Sequence, residues 1–405
     1  MDLQGQNGLD RTFREGWRSK NGTAWLIAVA LILFYLDLYY LADPNLDLGL
    51  EAGLRGAVGA APADGQRDAI GWLFYHTSYL AEAMGLRNRW FLYALLYTIG
   101  MVAGGIYYLR HHGNARYNQY RIAVNIAVQV SLAFLLPFVM PLLAGASPGD
   151  YWKWEYFAAA IWPLDWYKLR PDVLGAVPLV FAITSVVLAF LVAPLAAFFF
   201  GKRWYCSWVC GCGGLANTFG DPWRHLTPSS TASWRFEKIA VHTVMFLAIV
   251  STGLLVADQV GGWRGTVHEV VAGSSLFSMK SLYGMIVGAL LAGVVGVGLY
   301  PLLGARVWCR NFCPMAALLG LQQKLGRFRI TVKPDMCISC GNCTTYCEMG
   351  IDVRSYAQSN ESFTRASCVG CGMCAHVCPR GVLRLENVRD YQGDKRRTQL
   401  PVVDL

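Results

Sequence analysis

The sequence predicts an α-helical polytopic membrane protein with about six transmembrane helices and a small C-terminal α+β module. Three observations support this fold class. First, 55% of the 405 residues are hydrophobic and only 15% are charged, whereas soluble domains average about 25% charged residues. Second, six stretches are long and apolar enough to cross a hydrocarbon core about 30 Å thick. Third, eight of the 13 cysteines lie in two runs near the C-terminus.

The six apolar stretches are separated by loops whose basic residues predict the orientation. The spans are expected near 23–42, 90–109, 122–145, 174–200, 239–257 and 281–303. Lys and Arg near span ends mark the cytoplasmic side, and six spans put the basic N-terminus and the regions of Arg121, Arg224 and Arg306 on one side. Both chain ends are then cytoplasmic. The expected divisions are a cytoplasmic N-terminal segment 1–22, a membrane domain 23–330, a cysteine-rich module 331–390 and a C-terminal tail 391–405.

The formal net charge of +9 is compatible with binding to nucleic acid or to anionic lipid. The position of the basic residues distinguishes the two, because they flank apolar stretches. No nucleic-acid motif is found. Membrane lipid is therefore an expected partner and nucleic acid is not.

The C-terminal cysteines form two runs with the same spacing. The first run reads CISCGNCTTYC from Cys337, and the second reads CVGCGMCAHVCP from Cys368. In bacterial two-cluster ferredoxins this CxxCxxCxxxC spacing holds two 4Fe-4S clusters, and the fourth cysteine of each run ligates the cluster of the other run. That pattern assigns Cys337, Cys340, Cys343 and Cys378 to one cluster, and Cys347, Cys368, Cys371 and Cys374 to the other. Zinc or a pair of disulfides is the alternative, but zinc sites usually use cysteine pairs that are farther apart.

The first run departs from the ferredoxin pattern at its end. Cys347 is followed by Glu348, where ferredoxins usually have proline. The insert that follows is long. Two expectations follow: the first half of the module is looser than the second, or Glu348 and Asp352 are available to a partner.

A second group of cysteines follows two of the predicted spans. The sequence CSWVCGC contains Cys206, Cys210 and Cys212, and CRNFCP contains Cys309 and Cys313. Because residues four apart share a helical face, the two pairs are expected to converge at the cytoplasmic edge of the membrane. Four thiolates there suit an iron-sulfur cluster, another soft metal or a thiol-disulfide couple. The ligands are expected to be Cys206, Cys210, Cys309 and Cys313, with Cys212 as the alternate.

These two CxxxC motifs, followed by a two-cluster tail, resemble the NosR/NapH superfamily of membrane polyferredoxins. That group also includes the oxidase assembly proteins of the CcoG/FixG/RdxA type. The resemblance covers roughly residues 174–385, and the flavin domain of the NosR branch is not found. It implies a multi-pass protein of the bacterial inner membrane that handles electrons between the quinone pool, cytoplasmic donors and other redox subunits.

One ionisable residue inside a predicted span suggests a quinone site. His242 lies near the cytoplasmic start of the fifth span, and a histidine in a span is a functional hypothesis by default. It suits a hydrogen bond to a quinone carbonyl. The alternative is a purely structural role in packing.

Together these features predict an electron carrier more than a catalyst. The expected role is the electron-transfer subunit of an oxidoreductase complex, similar to a quinol dehydrogenase, with two 4Fe-4S clusters as cofactors. A further centre at the membrane-edge cysteines and a quinone are expected additions. The alternative function is an assembly factor that reduces a metal ion for a respiratory metalloenzyme.

Overall fold

A computed structural model gives the structure of this chain. It describes residues 22–41, 89–113, 115–145, 153–154, 162–166, 175–262, 265–272 and 278–387. The predicted N-terminal segment, apart from its last residue, and the predicted C-terminal tail lie outside the described residues.

The described part of the chain is mainly helical, with one two-stranded sheet near its end. In chain order its elements are α1 (Gly22–Tyr39), α2 (Trp90–His112), α3 (Arg116–Val139), α4 (Met140–Leu143), α5 (Leu179–Phe200), α6 (Arg203–Cys206), α7 (Gly211–Asn217), α8 (Thr231–Gly261), α9 (Thr266–Ala272), α10 (Met279–Val295), α11 (Tyr300–Leu303), α12 (Val307–Asn311), α13 (Pro314–Leu325), β1 (Phe328–Val332), α14 (Asn342–Thr345), α15 (Val353–Gln358), α16 (Met373–His376) and β2 (Leu383–Asn387). A 3-10 helix, Asp221–Leu226, lies between α7 and α8.

Five helices in this part of the chain, α1, α2, α3, α5 and α8, are long and apolar enough to cross a membrane. In lipid every backbone polar group needs a partner within its own segment, so apolar runs of this length fold as helices. Large apolar side chains such as Leu26, Val180 and Ile239 are exposed on their surfaces, as expected for contact with lipid. Five of the predicted spans thus coincide with helices of suitable length and composition, and their bounds in the membrane stay predictions. The sixth coincides with α10, a shorter apolar helix of 17 residues, and stays a prediction.

Helix α8 extends beyond the span predicted at 239–257. It begins after Ser230, whose hydroxyl accepts a hydrogen bond from the Ser233 backbone N–H at 3.2 Å, which satisfies one of the unpaired donors of a helix start. It ends at Gly262, which has a φ of 59° and so reverses the chain without steric cost. Its 31 residues correspond to about 46 Å of helix, more than a hydrocarbon core of about 30 Å requires. Near its start, the Trp234 ring contacts Arg365 of the C-terminal module.

The C-terminal module is framed by the two strands. β1 and β2 pair antiparallel, with Phe328 opposite Asn387 and Val332 opposite Leu383. The cysteine runs and the short helices α14 to α16 lie between these strands in sequence. The Arg327 N–H donates to the carbonyl of Phe198 at 2.9 Å, and one continuous core extends from the membrane helices into the module. The module therefore packs directly on the ends of the helices.

Candidate metal centres at the membrane edge

The two cysteine runs of the module line two separate cavities. The cavity of about 350 Å³ contains the outer set of thiols, Cys337, Cys340, Cys343 and Cys378. The cavity of about 380 Å³ contains the inner set, Cys347, Cys368, Cys371 and Cys374. These are the same two groups of four that crossed ligation predicts.

The donor atoms in each cavity fit an iron-sulfur cluster. Cysteine thiolates are the usual ligands of 4Fe-4S clusters, and each cluster takes four of them. Within the described residues, no group of three or more His, Cys, Asp or Glu side chains is placed to hold a metal ion directly. The four thiols of each set nevertheless line one common cavity, and their chemistry is that of a four-cysteine cluster site.

Two glycines give the two cysteine runs the same local backbone. Gly341 has a φ of 81° and Gly372 has a φ of 80°, in the left-handed region that costs other residues roughly 1–2 kcal/mol. Each glycine precedes a short helix, and the third cysteine of each run, Cys343 or Cys374, lies in that helix. The sequence identified both glycines as part of the motif.

Burial makes these thiols reluctant to ionise on their own. Burial, followed by the charges of Cys371 and Cys368, raises the pKa of Cys347 to about 12. Burial likewise raises the pKa of Cys343 to about 11, with the charge of Cys378 as the next cause. The thiolate is the form that binds metal, so occupation of either set has to be coupled to proton release.

The membrane-edge cysteines lie in two loops with the same backbone form. Cys206 and Cys309, like Cys210 and Cys313, are 103 residues apart. The first pair lies in the short helices α6 and α12, and the second pair directly precedes α7 and α13. The backbone N–H groups of Cys210 and Cys313 each donate to the carbonyl five residues back, at 2.7 Å and 3.1 Å. The chain thus contains a structural repeat around these cysteines.

The five membrane-edge thiols are close enough for their charges to interact. Cys206 interacts with Cys210 and Cys309, and Cys313 interacts with all three of them. The Cys212 thiol donates a hydrogen bond to Cys210 and lowers the pKa of that thiol to about 6. The structure therefore brings together the four predicted ligands and the alternate.

Buried arginines surround both cysteine regions. Arg306 donates to the Cys309 sulfur at 3.7 Å and to the Cys206 carbonyl at 3.3 Å. Arg121, Arg224 and Arg306 are all almost fully buried. The prediction that these arginines are loop charges is therefore wrong about their environment, which is buried. They do lie together at one end of the helical bundle.

Glu348 lies between two of these arginines. Its side chain is fully buried, with Oε1 at 3.0 Å from Arg306 Nη2 and Oε2 at 3.2 Å from Arg224 Nη1. Burial alone would raise the pKa of Glu348, but the arginines, Arg306 first, hold it at about 2. The prediction that Glu348 is available to a partner is therefore wrong. Asp352, the other residue in that prediction, accepts a hydrogen bond from Thr344 at 3.0 Å.

Arg224 continues the charged network into the module. Its Nη1 lies 3.8 Å from the sulfur of Cys371, and its Nε donates to Asp221 at 2.9 Å. Burial opposes ionisation of Asp221, but Arg224 and His112 lower its pKa to about 2. Sequence reasoning missed this network because its members are far apart in the chain; the glutamate in place of proline after Cys347 was the one available signal.

His242 lines a cleft of about 620 Å³ between α8 and α13. Its Nδ1 lies 2.7 Å from the Lys238 carbonyl, so Nδ1 is the donor and Nε2 is left as an acceptor. Val241 and Leu321 give the cleft apolar walls, and Cys309 lies on its lining. A quinone role for His242 stays a prediction.

Comparison with known proteins agrees with the cysteine geometry. Residues 330–385 match a family described as a 4Fe-4S dicluster domain. Residues 180–227 and 286–333 match a family described as a 4Fe-4S binding domain. The second match covers both membrane-edge loops.

Several curated proteins are similar to part of the chain. The putative electron transport protein YccM of Escherichia coli is 28% identical over 46% of this chain and 52% of its own length. The methylamine utilization ferredoxin-type protein MauN of Methylobacillus flagellatus is 26% identical over 37% of this chain and 50% of its own. The ferredoxin-type protein NapH of Escherichia coli is 26% identical over 43% and 55%.

The chain spans about half the length of these relatives. No solved structure matches it. The two matching domain families agree with the order of the cysteine motifs. The chain is thus similar to ferredoxin-type and electron-transport proteins, and it carries 4Fe-4S domains of the kind that its cysteine motifs predict.

Proposed function

We propose that this chain is a membrane-bound protein that relays electrons between a membrane donor and redox partners through two 4Fe-4S clusters and a membrane-edge cysteine site. The observation that carries the proposal is the contact between the two cysteine regions. One buried carboxylate, Glu348, pairs with the arginine at Cys309 and with the arginine at Cys371. The name of the relative YccM, a putative electron transport protein, supports the same function.

The inner and outer sets are the proposed ligands of the two clusters. When bound, a 4Fe-4S cluster accepts or donates one electron at a potential set by nearby charge, hydrogen bonds to sulfur and exposure. This chain supplies the thiolates, the glycine turns and the hydrogen bond from Arg224 to Cys371.

The membrane-edge cysteines are proposed to hold a further iron-sulfur or other soft-metal centre. Each of the two loops lies in a segment that matches a 4Fe-4S binding domain, which supports this assignment. Cys206, Cys210, Cys309 and Cys313 are the first candidates as ligands. Cys212 remains the alternate because its thiol is bonded to Cys210.

A quinone or quinol is the proposed membrane donor or acceptor, and the cleft beside His242 is its proposed site. Small-molecule sites are usually clefts with apolar walls and a few polar groups. The cleft has apolar walls at Val241 and Leu321, the Nε2 atom of His242 as an acceptor, and Cys309 on its lining.

The module is proposed to face the cytoplasm from the inner membrane of a bacterium. Arg121, Arg224 and Arg306 meet at the end of the helical bundle that contacts the module, and basic residues favour the cytoplasmic side. Its partners are then membrane lipid and other redox subunits.

The test is the metal content and redox response of the purified full chain. We expect about eight irons from the two clusters, with matching acid-labile sulfide, additional iron or another metal from the membrane-edge site, and an EPR signal of reduced clusters when a quinol analogue is added. The double variant C340A/C371A should lose iron and the signal, whereas Ser339→Ala, beside Cys340, should retain both. Absence of cluster iron in the wild type would end the proposal.

The same preparation distinguishes the alternative function. An assembly factor would reduce an added metal ion, and that reduction would require Cys309 and Cys313. If metal reduction is lost in C309A/C313A while quinol still reduces the clusters, the assembly role gains support over the relay.

A further inference from the structure

The inner cysteine run is attached to the membrane domain through its backbone. Three consecutive carbonyls, at 368–370, accept hydrogen bonds from side chains outside the module. The donors are Gln323 Nε2 at 3.0 Å, Ser207 Oγ at 2.7 Å and Tyr117 OH at 2.7 Å. These donors lie in α13, in the loop that follows α6 and in α3. Three separate elements therefore hold the inner run in place.

The outer run faces the other way. Cys340 is exposed, and the side chain of Ile338 is 55% exposed. The Ser339 hydroxyl accepts from Gln358, and the Thr344 hydroxyl donates to Asp352, so these contacts stay within the module.

The inner run and the membrane-edge loops are joined by a chain of charged contacts. From the membrane side it runs from the Cys309 sulfur to Arg306 at 3.7 Å, then to Glu348 at 3.0 Å. From Glu348 it reaches Arg224 at 3.2 Å and the Cys371 sulfur at 3.8 Å. Arg306, Glu348 and Arg224 are all buried. Salt screens buried ion pairs poorly, and removing one partner of such a pair strongly destabilises the fold.

We propose that the bridge Arg306–Glu348–Arg224 is a positioning device that holds the inner cysteine set against the membrane-edge cysteines and leaves the outer set to face redox partners. This inference rests on the proposed function, since it gives the order of the two sets within the relay. Glu348 acts through the two arginines and is a positioning residue.

The charge of Glu348 lies beside the inner set. Glu348 directly follows Cys347 and lines the inner cavity with Cys368 and Cys371, whereas it is not on the lining of the outer cavity. Reduction adds an electron, so loss of a nearby negative charge makes reduction easier. The carboxylate therefore distinguishes the two centres electrically as well as by position.

The experiment compares Glu348→Gln with wild type and with Glu386→Gln in the purified full chain. Glu386 is a partly exposed carboxylate on β2, outside both cavities. EPR-monitored titration with soluble mediators gives a midpoint potential for each cluster signal. A membrane-impermeant paramagnetic complex added to the buffer assigns the signals, because the more accessible centre relaxes faster.

In the wild type we expect one relaxed and one protected signal. E348Q should shift the midpoint potential of the protected signal upward and make it more accessible to the paramagnet, with the relaxed signal and the E386Q profile unchanged. A shift confined to the relaxed signal, two equally relaxed wild-type signals, or no shift in E348Q would overturn the proposal. If E348Q loses iron, R224K retains the charge but not the paired geometry, and it should make the protected signal alone more accessible to the paramagnet; an unchanged accessibility would overturn the proposal.

These outcomes are separate from failure of the proposed function. A wild-type protein without two cluster signals would contradict the relay itself. Two normal signals that respond to quinol, without selectivity in E348Q, would contradict the bridge alone.

Discussion

The two cysteine runs of the module share one spacing and one backbone turn, yet they lie in different surroundings. Gly341 and Gly372 have nearly the same φ. A Cβ atom added at Gly372 would meet the Tyr117 ring at 3.0 Å, whereas one at Gly341 would lie 4.0 Å from the guanidinium group of Arg354. The shared motif thus gives both runs the same backbone turn. The two runs differ in their neighbours, because the inner run packs against α3 and the outer run lies beside Arg354 of the module.

Metal removal should show this difference most strongly. The outer thiol Cys340 is exposed, while the inner run is covered by hydrogen bonds from the membrane domain. A soluble iron chelator should therefore remove about half of the iron quickly and the remainder slowly. Iron release followed by absorbance, with EPR on samples taken between the phases, measures it. A single phase would show that the two sets are equally protected.

The paired glycines provide the next comparison. Alanine at either position pays the left-handed backbone cost of roughly 1–2 kcal/mol, and G372A adds crowding against Tyr117 that typically costs about 1–3 kcal/mol. We expect G372A to lower the melting temperature and the iron content more than G341A. Equal losses in thermal unfolding would mean that α3 moves away from the inner run at little cost.

The attachment should also depend on pH through Asp221. Its pKa of about 2 is below the usual value for aspartate near 3.9, so its ion pair with Arg224 stabilises the fold fully above about pH 4. This contribution, about 2 kcal/mol, is lost as pH falls from about 4 toward 2. D221N should lack that part of the acid transition, measured by tryptophan fluorescence. The exposed Asp335→Asn serves as the control and should leave the transition unchanged.

Single hydrogen bonds to the inner run give the smallest expected effect. Ser207→Ala removes one donor to the Val369 carbonyl and should cost about 1 kcal/mol, enough to speed the slow phase of iron release. Gln358→Ala removes a donor from α15 to Ser339 of the outer run and should leave the slow phase unchanged. An altered slow phase in Q358A would show that the two runs open together.

The sequence predicted what depends on local pattern. Apolar runs identified the five long helices because each span satisfies its own backbone. The cysteine spacing predicted which thiols share a cavity, including the exchange of Cys347 and Cys378 between runs. The matching of Cys206 to Cys309 likewise predicted that the two membrane-edge loops meet.

What the sequence did not predict is the burial of charge. The sequence pattern predicts loop positions beside the spans for Arg121, Arg224 and Arg306. It predicts that Glu348 is available to a partner. Their pairing joins elements more than 40 residues apart in the chain, and no periodicity reports such a contact. A buried charge is stable only with its partners in place, so the correct interpretation needs the fold first.

The same buried charges link maturation of the protein to its assembly. Three guanidinium groups, those of Arg121, Arg224 and Arg306, share the interface with two carboxylates, Asp221 and Glu348. On the proposed ligation, a cluster held by the four inner thiolates would bring negative charge to this interface. Cluster insertion and docking of the module would then be thermodynamically linked, and each step would favour the other. Iron supply would then affect both how much cofactor the chain carries and how much of the chain reaches its assembled form.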